Sequence, residues 1–165
     1  MAGMTSALRA LRFGAGVAAL VASAASCGSN AKTGSDKFVG TWTYAGMINP
    51  NCGGAAVSPI DLTGYTTTIT ASDPAHITVE LGPASAPLCT VMFDVDGFTA
   101  SAKSGQTCMF DLGATFGMQT VMITKWTLTS TGMDTVTSDF SGTVSICTVA
   151  GTGTLTRQAD AGATD

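Results

Sequence analysis

The sequence predicts an all-β fold, a single antiparallel meander of eight to ten strands that forms either a barrel or a sandwich. Threonine, valine, isoleucine and aromatic residues recur in short runs, which glycine, proline, asparagine and aspartate separate. No stretch after residue 37 has the apolar spacing of an amphipathic helix. Because strands do not alternate with helices, a parallel sheet is not expected.

Ten segments have the composition of strands. They begin at Phe38, Leu62, His76, Leu88, Phe98, Thr107, Met118, Asp134, Thr143 and Thr152, and the last ends at Arg157. Asp96 and Gly97 stand between two of them and indicate a two-residue hairpin. Residues 47–60 are rich in glycine, alanine and proline. They are expected to form a long loop, either a connector pinned by a disulfide or a lid over a barrel.

The first 26 residues have the pattern of an export signal. Arg9 and Arg12 form a short basic segment, and no acidic residue comes before Asp36. Residues 13–25 are apolar or small, a length that suits the central helix of a cleaved signal peptide. A membrane-spanning helix needs ~20 residues, so this stretch is too short to stay in the membrane as one.

The signal ends in Ala24-Ala25-Ser26-Cys27. This ending resembles the signal of bacterial lipoproteins, in which the cysteine thiol is diacylated, the peptide is cut before it, and the new amino terminus is acylated. The resemblance implies that Cys27 carries acyl chains such as palmitate and anchors the protein in the cell envelope. Gly28 follows in place of an aspartate, which implies the outer rather than the inner membrane. The alternative is an ordinary secretory signal that has a cysteine nearby by chance.

Cleavage before Cys27 would leave 139 residues, which suits one domain. We expect residues 27–37 to be the lipidated cysteine and a flexible linker, residues 38–157 the β-domain, and residues 158–165 a disordered tail. Five basic against eleven acidic residues would give the mature chain a net charge of −6. An acidic domain of this kind is not expected to bind nucleic acid.

The cysteines also indicate export. If Cys27 carries lipid, four cysteines remain, an even number that suits an oxidising compartment. Four cysteines allow three pairings, among which the sequence does not choose. The preferred pairing is Cys89–Cys108, between neighbouring strands, with Cys52–Cys147, between the start and the end of the domain. No two of them are spaced as zinc ligands usually are, so no metal site is expected.

Gly40-Thr41-Trp42 opens the first strand, and Arg157 ends the last one. This arrangement resembles the calycin pattern of lipocalins and avidins, in which a G-x-W on the first strand packs against an arginine or lysine on the last. The resemblance implies that Trp42 and Arg157 close one end of a barrel. It also raises a lipocalin-like binding module for a small apolar ligand as an alternative function.

The longest strand shows strict alternation. One face carries Met118, Thr120, Met122, Thr124, Trp126 and Leu128. This face is expected to point inward. It is then either ordinary core or the wall of a ligand cavity, with Met118, Met122 and Trp126 as lining residues.

The sequence contains no recognisable catalytic constellation. His76 is the one histidine, no G-x-S-x-G motif is present, and the carboxylates are sparse. No catalytic residue, cofactor or metal is therefore assigned, and an enzyme is not expected. The first function hypothesis is a lipid-anchored envelope protein that works as a structural or interaction module. Its partners would be the membrane, through the anchor, and an envelope protein; the alternative hypothesis has a small apolar ligand instead.

Overall fold

A computed structural model of the chain describes residues 34–54, 57–82, 88–112 and 116–159. The predicted signal peptide, Cys27 and residues 28–33 lie outside them. The described elements are a 3-10 turn over Gly34–Lys37 and ten strands: β1 Gly40–Asn51, β2 Ile60–Asp61, β3 Tyr65–Asp73, β4 His76–Leu81, β5 Cys89–Asp96, β6 Thr99–Ala102, β7 Thr107–Asp111, β8 Met118–Ser130, β9 Thr135–Val144 and β10 Cys147–Arg157.

The strands form an antiparallel up-and-down barrel. Each long strand pairs with the next one along the chain, and β10 pairs back with β1, so the sheet is closed. The closing ladder runs from Trp42 opposite Arg157 to Asn51 opposite Thr148. β6 and β7 follow one another beside β8, and the short β2 is attached to β1. The barrel therefore has eight strand positions, and it confirms the all-β prediction and decides between barrel and sandwich.

A side chain bridges the interruption between β6 and β7. The Gln106 side chain accepts a hydrogen bond from the backbone N of Met92 at 2.6 Å and donates one to the carbonyl O of Met92 at 2.8 Å. It also donates to the carbonyl O of Lys103 at 2.9 Å. An amide side chain thus replaces the ladder bonds that an unbroken strand would make with β5.

The predicted loop over residues 47–60 is wrong in its first part. β1 continues to Asn51 and pairs with β10 along its whole second half. The glycine that matters for this strand contact is Gly46, which lies just before the predicted loop. A Cβ atom at Gly46 would lie 2.5 Å from the carbonyl O of Thr152 on β10, closer than real Cβ atoms approach. Gly46 therefore permits β1 and β10 to lie close together.

A β-bulge in β8 contradicts the prediction that one face of this strand points inward along its whole length. The register of β8 against β9 shifts between Ile123 and Lys125. One extra residue in a strand exchanges the two faces beyond it. Val121 and Ile123 therefore point into the barrel before the bulge, whereas Trp126 and Leu128 do so after it.

The prediction that Met118 and Met122 line the interior is consequently wrong. Both lie on the outer face, with 51 % and 52 % of their surface exposed. Trp126, the third residue of that prediction, is buried as expected. A regular alternation carried across the bulge had placed all three on one face, and the insertion of one residue separates them.

Described residues on both sides of the predicted β-domain make hydrogen bonds to it. The 3-10 turn Gly34–Lys37 lies within the predicted flexible linker, and Ser35 N donates to the carbonyl O of Pro74 at 3.1 Å. In the predicted tail, Gln158 N donates to the carbonyl O of Thr41 at 2.9 Å. Residues 160–165 lie outside the described part of the chain.

Candidate functional site

Trp42 and Arg157 seal one end of the barrel. They face each other across β1 and β10, and the Arg157 Cζ atom lies 4.2 Å from the centroid of the Trp42 ring. Trp42 is wholly buried, and its Nε1 donates to the carbonyl O of Phe38 at 2.7 Å. A guanidinium over an indole contributes ~0.5–2 kcal/mol, more where water is excluded. The predicted barrel-closing contact is present.

The Arg157 guanidinium also forms hydrogen bonds to the backbone before β1 and after β8, at the same end of the barrel. Nη1 donates to the carbonyl O of Val39, Nη2 to that of Lys37 at 3.0 Å, and Nε to that of Met133 at 3.3 Å. Gly40 leaves room for it, because a Cβ atom there would collide with Nη1, and its φ of 140° disfavours other residues. The glycine of the G-x-W motif therefore has a structural role, to admit the arginine.

Two disulfides hold the opposite end. Cys52, directly after β1, is joined to Cys147 at the start of β10, and Cys89 on β5 is joined to Cys108 on β7. These are the two bridges of the preferred pairing. Because β1 and β10 are also the strands that Trp42 and Arg157 connect, the closing seam of the barrel is fastened at both ends.

The barrel interior is filled by aromatic side chains. Trp126 makes edge-to-face contacts with Phe93, centroid to centroid 5.3 Å, and with Phe140 at 5.5 Å, and Phe110 contacts Phe140 at 5.7 Å. Within the described residues, the enclosed space beside them has a volume of about 10 Å³. That is about one water molecule, whereas small-molecule pockets have ~300 Å³ or more. The described interior is therefore far smaller than such a pocket.

One polar cluster lies inside this apolar core. Trp126 Nε1 donates to Ser138 Oγ at 2.9 Å, and the Tyr44 hydroxyl shares a hydrogen bond with the same serine. All three residues are buried. Burial raises the pKa of the Tyr44 hydroxyl above its ordinary value, and the bond to Ser138 opposes that rise. The serine thus satisfies two aromatic side chains that would otherwise bury unpaired polar groups.

The outer face of β8, β9 and β10 carries a shallow groove of about 550 Å³. Most of its lining is threonine, with one exposed ion pair between Lys125 Nζ and Asp139 Oδ2 at 2.5 Å. Its side chains come from alternate residues of the three strands: Lys125, Thr127, Thr129, Thr137, Asp139, Thr152 and Thr154. The groove is polar and carries no net charge, so it can offer hydrogen bonds to an uncharged surface.

His76 stands between two carboxylates at the sealed end. Its Nδ1 lies 2.7 Å from Asp73 Oδ2, and its Nε2 lies 3.2 Å from Asp94 Oδ1, which Lys103 Nζ approaches to 3.3 Å. The hydrogen bond from His76 lowers the pKa of the Asp73 carboxyl. The histidine is about half exposed and has neither a serine nor a cysteine thiol as a partner. This arrangement is a surface cluster of His76, two carboxylates and Lys103, and it lacks the nucleophile of a catalytic triad.

Comparison with known proteins adds no relative. No protein-family model matches the chain, and no curated protein matches it.

In the described part of the chain, no group of three histidine, cysteine, aspartate or glutamate side chains is placed to hold a metal ion. No helix among residues 34–54, 57–82, 88–112 and 116–159 has the length and apolar character that crossing a membrane requires.

Two features of these sites were missed in the sequence. The groove joins residues of three strands, so no local pattern indicates it, although Thr127-x-Thr129 and Thr152-x-Thr154 repeat one outward-facing spacing. The role of Ser138 depends on its inward position in β9, where alternation with Val136 and Phe140 was available as a signal.

Proposed function

We propose that this chain is a lipid-anchored protein of the bacterial cell envelope whose barrel works as a structural or interaction module. The anchor would be acyl chains on Cys27, after cleavage of residues 1–26. The basic, apolar and small-residue order of that segment supports it. Two disulfides among the four remaining cysteines suit an oxidising compartment. Gly28 supports the outer rather than the inner membrane.

The filled interior is the observation that favours an interaction module over a carrier. A carrier needs a cavity, and the described interior offers about 10 Å³. Trp126 and Phe140 occupy the centre in mutual contact, so opening a cavity would require several aromatic side chains to leave together. Recognition by this domain would therefore use the outside of the barrel, for which an envelope protein is the fitting partner. The acidic charge does not favour nucleic acid.

A lipocalin-like binding module is the second candidate. The eight-position up-and-down barrel and the contact between Trp42 and Arg157 favour it. A small ligand on such a domain would have to bind outside the core, and the groove on β8–β10 is lined by threonine rather than by apolar side chains. That lining does not suit the apolar ligand that the calycin resemblance implies, so this candidate stays second.

Metabolic labelling tests the anchor. Bacteria expressing the full chain are fed an alkyne-bearing fatty acid, and the protein is followed by label and by membrane fractionation. We expect label and membrane location for the unchanged chain and loss of both for Cys27→Ser. The double variant Cys52→Ser/Cys147→Ser, which removes two other cysteines, is the matched control and should keep the label. A labelled Cys27→Ser protein, or an unlabelled unchanged chain in the soluble fraction, would contradict the proposal.

Native mass spectrometry separates the two candidate functions. The protein is released from its membrane in mild detergent and weighed without denaturation. The interaction module should show the mass of the chain and its anchor alone. A stoichiometric small apolar molecule that leaves on denaturation would favour the binding module instead.

A further inference from the structure

Every methionine of the described barrel lies on its surface. These methionines are Met47, Met92, Met109, Met118, Met122 and Met133, and their exposed fractions run from 46 % for Met47 to 80 % for Met133. Among the described residues, the other large apolar side chains exposed to this degree are Phe98 and Ile146. Methionine is ordinarily among the most buried residue types. Its complete exclusion from this core therefore calls for an explanation.

The exclusion follows the alternation of the strands. Met92 points outward between Val91 and Phe93, which point inward on β5. Met109 points outward between Cys108 and Phe110 on β7. On β8, Met122 points outward between Val121 and Ile123, which point inward. Methionine is normally useful as an adaptable filler of cores. Here leucine, β-branched and aromatic residues fill the core, and methionine takes outward positions of the kind that threonine often occupies in this protein.

The exposed methionines do not share one patch. Met92, Met109, Met118 and Met122 lie on the outer face of β5, β7 and β8, whereas Met47 is on β1 and Met133 is in the turn after β8. Surfaces that bind one partner concentrate their apolar residues in a contiguous area. What these six side chains have in common is access to solvent. One partner docked on the face of β5, β7 and β8 would leave Met47 and Met133 uncovered, whereas small solutes reach all six side chains.

Among the sulfur-containing side chains of the described domain, the methionine thioethers are the ones open to oxidation. The four cysteines of the described chain are in disulfides, so no thiol competes there for an oxidant. We propose that the six exposed methionines are sites of reversible oxidation, which consume hydroperoxide-class oxidants at the cell surface. In this step a sulfur lone pair attacks one peroxide oxygen, the S–O bond forms as the O–O bond breaks, and water or an alcohol leaves. The sulfur is oxidised to the sulfoxide and the peroxide is reduced.

The fold is built to tolerate this change. Oxidation of methionine replaces an apolar group by a polar one and disrupts a core that contains it. At the outward positions of this barrel the new oxygen faces water, and the inward side chains stay unchanged. The oxidised domain therefore keeps its stability, and a methionine sulfoxide reductase with a dithiol as reductant can reach each site and restore it.

Peptide mapping of the full chain after treatment with hydrogen peroxide tests the proposal. We expect each of the six methionines to gain one oxygen at a rate within about tenfold of that of free N-acetylmethionine, because susceptibility follows exposure. The fully oxidised protein should keep its thermal midpoint within a few degrees, and methionine sulfoxide reductases should remove all six oxygens. Leu128→Met is the matched control, since it places a methionine of similar volume at a wholly buried position of β8. That methionine should react at least about tenfold more slowly than Met122.

Three results would overturn the proposal. The first is slow reaction of the surface methionines, at the rate of the buried methionine in Leu128→Met. The second is unfolding of the barrel on oxidation. The third is protection of Met92, Met109, Met118 and Met122 together in the native membrane but not after extraction, which would assign that face to a bound partner. The first two outcomes do not depend on whether Cys27 carries lipid.

Discussion

Arg157, the last residue of β10, lies over the indole ring of Trp42, its direct neighbour on β1, with Cζ 4.2 Å from the ring centroid. The contact joins the two strands that close the barrel. The same guanidinium donates hydrogen bonds to three backbone carbonyls, two before β1 and one after β8. A single side chain thus stabilises the seam, the entry of the chain and a neighbouring turn.

Replacing Arg157 by lysine should destabilise the barrel although it keeps the charge. A lysine can remain near the ring, but it cannot donate to three carbonyls in the fixed geometry of a guanidinium. We expect a loss of about 2 kcal/mol in the free energy of unfolding, measured by urea titration. Lys125→Met, which breaks the exposed pair with Asp139, should change it by less than about 0.5 kcal/mol. Equal stability of Arg157→Lys and the unchanged chain would contradict the role assigned to the guanidinium.

The sealing contact and the Cys52–Cys147 disulfide were predictable because each depends on rare residues at the two ends of a meander. Gly40, Trp42 and Arg157 are placed on the first and last strands, and closure of a sheet brings those strands together. The pairing of Cys52 with Cys147 follows from the same closure. Neither inference needs the course of the chain in between, which explains why both could be made before the fold was known.

Which side chains of β8 face the barrel interior was not predictable in the same way. Strict alternation along β8 placed Met122 inside, but the bulge between Ile123 and Lys125 moves it outside. A bulge adds one residue to a strand opposite an unchanged partner, and the sequence of β8 alone carries no strong sign of it. The extension of β1 to Asn51 was missed for a related reason. Residues 48–51 pair with residues 148–151 of β10, and that partner is distant in the sequence.

A pair of neighbouring substitutions tests the bulge. Val121→Asp should unfold the domain or cost several kcal/mol, because Val121 is wholly buried and a carboxylate there would have no partner. Met122→Asp should change the free energy of unfolding by less than about 1 kcal/mol, since the side chain is half exposed. Urea titration and near-ultraviolet circular dichroism measure both. If Met122→Asp is the more destabilising of the two, Met122 points inward, and the bulge in β8 is contradicted.

A buried hydroxyl offers a stabilising substitution. Thr67 faces Trp42 across β1 and β3 and is almost wholly buried. Within the described residues, its Oγ1 is the buried side-chain polar atom that has no hydrogen-bond partner. Thr67→Val replaces the hydroxyl by a methyl group of similar size and should raise the free energy of unfolding by about 1–2 kcal/mol.

The outward neighbour provides the comparison for that substitution. Thr68 lies on the other face of β3 and is partly exposed. Thr68→Val should leave the free energy of unfolding within about 0.5 kcal/mol of its original value. Differential scanning calorimetry of both variants gives the answer. If Thr67→Val lowers the free energy of unfolding, the Thr67 hydroxyl forms a stabilising hydrogen bond, and the prediction is wrong.

The pKa of Tyr44 predicts how stability depends on alkaline pH. In the unfolded chain the phenol ionises near pH 10, whereas burial raises its pKa in the barrel. The unfolded state therefore releases this proton first. The stability that Tyr44 contributes is fully present below about pH 10 and is lost as the pH rises above that value. Tyr44→Phe should flatten this alkaline fall, measured as urea midpoints between about pH 8 and 11. An identical fall in the variant would show that the phenol ionises equally in both states.

Intact-mass spectrometry of the protein from its native membrane, before and after reduction, tests the lipid anchor and the two disulfides in one measurement. We expect a chain that begins at Cys27, carries the mass of acyl chains, and gains four hydrogens when Cys52–Cys147 and Cys89–Cys108 are reduced. A chain that begins elsewhere, or a Cys27 without acyl mass, would contradict the lipid anchor. An unchanged mass on reduction would contradict the disulfide-fastened barrel.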